Sequence, residues 1–148
     1  LDLCWCSKIT DAAVVAVASQ CTQLASLNLL RCGKITDAAM EAVAKGCPQL
    51  TFLNLAGCDK ITDAAVLALA SGCKQLASLG LYGCDNITDA AMVAVGKECK
   101  KLKSICFSTV AEKRAARQVA RDRKLTRRMI QAPGVLVDVG ELDAQYNL

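Results

Sequence analysis

The sequence predicts an α/β fold in which one short strand–helix unit is stacked on copies of itself. Three observations predict it. A 26-residue period runs along the chain: Cys6, Cys32, Cys58 and Cys84 keep it, and so do Cys21, Cys47, Cys73 and Cys99. Within a period, "LASLNLL" at 24–30 alternates apolar Leu27 and Leu29 with polar Ser26 and Asn28, the mark of a half-buried strand. Beyond Asp37, Met40, Val43, Ala44 and Cys47 fall at i, i+3, i+4 and i+7, which is one face of a helix.

Each element follows from recurring residues. The strand ladder reads Leu1, Leu27, Leu53, Leu79 and Ile105 on one rung, and Leu3, Leu29, Leu55, Leu81 and Phe107 on the next. Thr10, Thr36, Thr62 and Thr88 fit helix N-caps, because a threonine oxygen can accept a free first-turn N–H. Asp11, Asp37, Asp63 and Asp89 then stand in the first turn, where the helix dipole favours negative charge. One capping unit per repeat accounts for these aspartates without a cation ladder. The unit that results, C-x-x-L-x-x-L-x-L-x-x-C-x-x-I-T-D-A-A, closely resembles the cysteine-containing leucine-rich repeats found in F-box proteins, and the resemblance covers residues 1–107. It implies a right-handed solenoid with short parallel strands on the concave side and helices on the convex side.

We divide the chain into a solenoid of about four repeats over 1–109, starting in mid-repeat, a basic helix over 110–131 and an extension over 132–148. A single repeat cannot bury its own apolar face, so several must stack. Leu1 enters at a strand with no polar cap before it, and bare solenoid ends are poorly soluble. The expectation is a longer protein, or another chain covering this end.

Composition narrows the classes of function. Apolar residues make up 53% of the 148-residue chain but aromatics only 3%, so the core is built from Leu, Val, Ala, Ile and Cys. No apolar run approaches the roughly 20 residues that cross a bilayer. The chain has no histidine, which excludes His-based triads and histidine metal sites. No phosphate-binding loop is present, since the glycines of "GLYGC" at 80–84 belong to a strand and its turn. The expected protein is not an enzyme and needs no cofactor.

Ten cysteines invite a metal or disulfide reading. Zinc sites favour C-x-x-C pairs with further Cys or His, but the chain has no C-x-x-C and no His, and its one close pair is Cys4 and Cys6. Equivalent residues of adjacent repeats lie about 4.8 Å apart, within disulfide reach, yet ladder side chains point the same way rather than at each other. Cysteine also serves as a small buried hydrophobe with a weak S–H donor. In that role Cys6, Cys32, Cys58 and Cys84 fill the turn after each strand, and Cys21, Cys47, Cys73 and Cys99 close each helix. Cys4 and Cys106 lie outside both ladders and are the thiols expected to react. Free thiols in this number point to an intracellular, reducing compartment, cytoplasm or nucleus.

Positions that vary from repeat to repeat mark the candidate binding surface. They form four rows: Ser26, Phe52, Ser78 and Ser104; Asp2, Asn28, Asn54, Gly80 and Cys106; Cys4, Leu30, Ala56, Tyr82 and Ser108; and Trp5, Arg31, Gly57 and Gly83. Strand alternation turns these rows away from the core. Trp, Tyr and Arg are enriched at binding hot spots, so we select Trp5, Asn28, Leu30, Arg31, Phe52, Asn54 and Tyr82 as a partner-binding concave face.

Charge is unevenly placed. Residues 1–96 carry a net charge of −2 and residues 97–128 a net charge of +9. The segment 110–131 reads as a helix with a basic stripe, its cations being Arg114, Arg117, Arg121, Arg123, Lys124, Arg127 and Arg128. Three uses fit it: capping the last repeat, docking on an acidic protein, or contacting nucleic acid through phosphates. The leading expectation is a non-catalytic module that binds a protein partner on its concave face. The resemblance suggests substrate recognition, as in F-box ubiquitin ligases. The alternative is a structural subunit of a large assembly, such as a ribonucleoprotein, anchored by the basic helix.

Overall fold

A computed structural model describes residues 1–106. The expected basic helix and the 132–148 extension lie outside the described residues. Four helices alternate with four strands: α1 (Asp11–Gln20), β1 (Ser26–Asn28), α2 (Asp37–Gly46), β2 (Phe52–Asn54), α3 (Asp63–Gly72), β3 (Ser78–Gly80), α4 (Asp89–Glu98) and β4 (Ser104–Cys106). The strands form one parallel sheet in the order β1-β2-β3-β4. Register follows the period, with Leu27 beside Leu53, Leu53 beside Leu79 and Leu79 beside Ile105. This is a right-handed solenoid in which neighbours in sequence are neighbours in space. Upstream of β1, Asp2 bridges Asn28, and the amides of Leu3 and Trp5 donate to the carbonyls of Asn28 and Leu30, each at 2.8 Å.

The core is a stack of equivalent side chains. Leu27, Leu53 and Leu79 on the strands, with Leu29, Leu55 and Leu81 after them, are wholly buried. From the helix side they meet Met40, Val43, Val66, Leu69, Met92 and Val95, all at most 2% exposed. The strands have only three residues each, so sheet bonding alone cannot hold them; the leucine stack supplies the cohesion.

Three caps agree with the sequence and one departs from it. The hydroxyl oxygens of Thr36, Thr62 and Thr88 accept from the amides of Ala38, Ala64 and Ala90, but Thr10 makes no such bond. The first-turn aspartates explain the difference. Asp11 accepts the Thr36 amide at 2.8 Å and the Thr36 hydroxyl at 2.6 Å. Asp37 holds Thr62 and Asp63 holds Thr88 in the same way. Each carboxylate takes the hydroxyl proton of the next repeat's threonine and leaves that oxygen's lone pair for the helix. Among the described residues Thr10 has no aspartate in this place. The aspartates therefore stitch repeat to repeat through charge-assisted bonds, which are stronger than neutral ones.

The cysteine ladders are stitches too. Cys32, Cys58 and Cys84 donate S–H to the carbonyls of Leu3, Leu29 and Leu55, each one repeat back, at 3.2, 3.2 and 3.1 Å. Cys47 and Cys73 donate to the carbonyls of Cys21 and Cys47 at 3.7 Å. A buried thiol suits these places, being a small apolar group that still donates weakly to a carbonyl.

Candidate functional site

The register assembles the variable positions into rows. Ser26, Phe52, Ser78 and Ser104 stand side by side, as do Asn28, Asn54, Gly80 and Cys106. A groove of about 290 Å³ opens on this face, lined by Leu30, Phe52, Asn54, Ala56, Ser78, Gly80, Tyr82 and Cys106. Its lining is mainly apolar. Glycine is required at position 80 if Asn54 is to keep its place, because a Cβ there would lie 2.6 Å from the Asn54 side-chain oxygen.

The asparagines have a structural duty on this face. Asn28 Oδ1 accepts from the Leu30 amide at 3.2 Å, and Asn54 Oδ1 from the Ala56 amide at 3.1 Å. Asp2 does the same for Cys4 at 2.9 Å. These bonds hold the turn that follows each strand and occupy the side-chain oxygens, so that the carboxamide NH₂ groups of Asn28 and Asn54 are the remaining donors of these side chains.

Trp5 and Arg31 do not reach the face by strand alternation, as the sequence suggested. Their backbones lie in the left-handed region, with φ of 62° and 57°, and Gly57 and Gly83 hold the same position with φ of 73° and 75°. The chain turns there, so this row stands at the rim of the sheet rather than on its face. The Arg31 guanidinium carbon sits 4.4 Å from the centre of the Trp5 ring, a cation–π contact. A second depression, of about 370 Å³, runs from this rim and shares Leu30, Ala56 and Tyr82 with the groove.

The structure thus places Leu30, Phe52, Asn54 and Tyr82 along one groove and Arg31 on the depression adjoining it. Trp5 lies against Arg31, and Asn28 follows its register row beside Asn54. Selection by residue type passed over Ala56, Ser78, Gly80 and Cys106, although all four belonged to the variable rows. Small residues leave this space open, and only register could reveal which ones adjoin. The arginines and lysines selected over 114–128 lie outside the described residues.

Chemistry by thiols is disfavoured where the thiols are buried. None of the ten cysteines is joined in a disulfide. Burial pushes the thiols of Cys58 and Cys73 up to about 12, and those of Cys32 and Cys47 upward as well. The expectation for Cys4 needs correction: desolvation, then the neighbouring Asp2 and Cys6, raises its thiol pKa, which lowers its thiolate fraction. The exposed cysteines are Cys6 and Cys21. Iodoacetamide at pH 8, read by peptide mass spectrometry, should modify these two first. Cys32, Cys47, Cys58, Cys73, Cys84 and Cys99 should stay unmodified until denaturant unfolds the chain; native modification of Cys58 or Cys73 would contradict the packing described. Among the described residues, no cluster of three or more His, Cys, Asp or Glu is arranged to hold a metal ion. Nor is any helix among them long and apolar enough to cross a membrane.

Comparison with known proteins agrees with this architecture. The family model described as "Leucine Rich repeat" matches residues 46–70. A chain in the crystal structure of the yeast Rad7–Elc1 complex superposes with a TM-score of 0.68 at 21% sequence identity, over 79% of this chain and 29% of that one. This chain therefore spans less than a third of that relative's length, and the likeness is one of fold. Among curated proteins, nothing matches.

Proposed function

We propose that this chain, which has the fold of a leucine-rich repeat solenoid and matches the leucine-rich repeat family model over residues 46–70, is a non-catalytic module that binds a protein partner on the concave face of its sheet. The apolar groove between Phe52 and Tyr82 carries this reading. Aromatic walls around a preformed depression are what binding hot spots require, and the surrounding repeats are occupied with packing. The F-box resemblance favours a substrate-recognition role in a ubiquitin ligase. Ten cysteines without a disulfide favour a reducing, intracellular compartment.

A pull-down with the full chain tests the reading. Phe52→Ala and Tyr82→Ala should each weaken partner retention by at least about tenfold, equivalent to a hot-spot loss of some 1.4 kcal/mol, with little dependence on salt. The net charge of +9 over residues 97–128 keeps a second reading in play, a structural subunit held through the basic segment. Retention that falls steeply with ionic strength and vanishes when 110–131 is deleted, while both aromatic variants bind normally, would replace the first reading with the second.

A further inference from the structure

We infer that Arg31, held in place by Trp5, anchors a side-chain carboxylate of the partner, so that the groove takes an extended segment bearing a large apolar residue and an Asp or Glu close by. This rests on the concave-face reading and specifies the chemistry of the occupant.

Arg31 is built into its position. Its guanidinium packs on the Trp5 ring, and its stem lies over Gly57, where a Cβ would come within 2.8 Å of Arg31 Cγ. Trp5 and Arg31 both adopt left-handed backbone, a conformation that is strained for a residue with a side chain. Glycine fills the same position in the next two repeats, so the fold does not demand side chains here. A strained, ring-supported arginine loses little freedom on binding. No ion pair among the described residues engages it.

Its surroundings select the ligand. Arg31 lines the 370 Å³ depression with Gly57, Gly83 and Tyr82, and this adjoins the apolar groove across Leu30, Ala56 and Tyr82. An extended chain advances about 3.3 Å per residue, so an apolar side chain in the groove places the next one to three residues at the arginine. A planar carboxylate matches the guanidinium fork. Asp59 stands on the same depression, and its negative charge opposes a dianionic phosphate more than a monoanionic carboxylate.

The test uses the full chain and synthetic acetylated, amidated heptapeptides of Gly and Ser bearing one Leu and one Asp at spacings of one to three residues. Matched peptides carry Asn or phosphoserine in place of Asp. Trp5 is the sole tryptophan, so its fluorescence reports binding at the site, and calorimetry gives the affinity. At one spacing or more, the Asp peptide should bind about ten- to a hundredfold more tightly than its Asn match, the range of a charge-assisted bond. Arg31→Gln should erase that difference without moving the melting temperature, and Arg31→Lys should restore only part of it. Equal binding of Asp and Asn peptides, still sensitive to Phe52→Ala, would overturn the carboxylate anchor and leave the groove reading intact. Tighter binding of phosphoserine would overturn the choice of carboxylate. Binding of no peptide up to millimolar concentration would overturn this inference, whereas the groove reading falls only if the aromatic variants retain partner.

Discussion

Leu53→Ala is expected to lower the stability of the repeat stack by roughly 2–5 kcal/mol, the range for truncating a wholly buried leucine. That is a large fraction of the roughly 5–15 kcal/mol that holds a typical domain together. Leu53 has no exposed surface and lies in register between Leu27 and Leu79. Each repeat of a solenoid touches only its neighbours, so stability is close to a sum of repeat and interface contributions. A cavity at Leu53 weakens two interfaces at once, β1 with β2 and β2 with β3. Urea unfolding followed by far-UV circular dichroism measures the loss, with Val15→Ala, at an exposed helical position, as the surface control. A loss no larger than the control's would mean that the leucine ladder is not the core.

Gly72→Ala should have the next largest effect, and its sign is diagnostic. Alanine has the higher helix propensity, and in an unconstrained helix the exchange stabilises by about 0.5–1 kcal/mol. At the end of α3, however, a Cβ on residue 72 would lie 2.0 Å from the Ala44 carbonyl oxygen and 2.6 Å from its carbon. Those atoms are the backbone of α2 and cannot swing aside as a side chain would. The helices must separate, at an overpacking cost of about 1–3 kcal/mol or more. Gly33→Ala is the comparison, because the nearest atom there is an Asp59 oxygen at an ordinary 3.7 Å. A Gly72→Ala protein that melts at or above the wild-type temperature would show that the helices do not approach so closely.

Both experiments concern packing that was legible to different degrees. Leu53 could be assigned to the core from the sequence, because alternation and the 26-residue period converge on it. Gly72 could not: it sits at the end of a helix, where glycine is a common terminator, and nothing local distinguishes a cap from a close helix contact. The aspartates were similarly half legible. Asp37 reads correctly as a first-turn acid, yet its bonds to Thr62 span 25 residues. Trp5 and Arg31 were legible as exposed and variable, but not as a stacked pair, since the left-handed turn that brings them to the rim leaves no mark in residues other than glycine.

The amino-acid order by itself determined the repeat, its strand and helix, the buried leucines and three of the four threonine caps. Hydrophobic periodicity acts within one repeat, and the same short-range preferences recur in every copy, whereas the threonine caps form only where an aspartate one repeat back holds the hydroxyl. Only the tertiary structure decided which small residues open the groove, where the thiols and carboxylates find their acceptors and donors one repeat away, and how Arg31 is propped on Trp5. Those outcomes depend on the separation and register of neighbouring turns, and such distances exist only once the stack has closed.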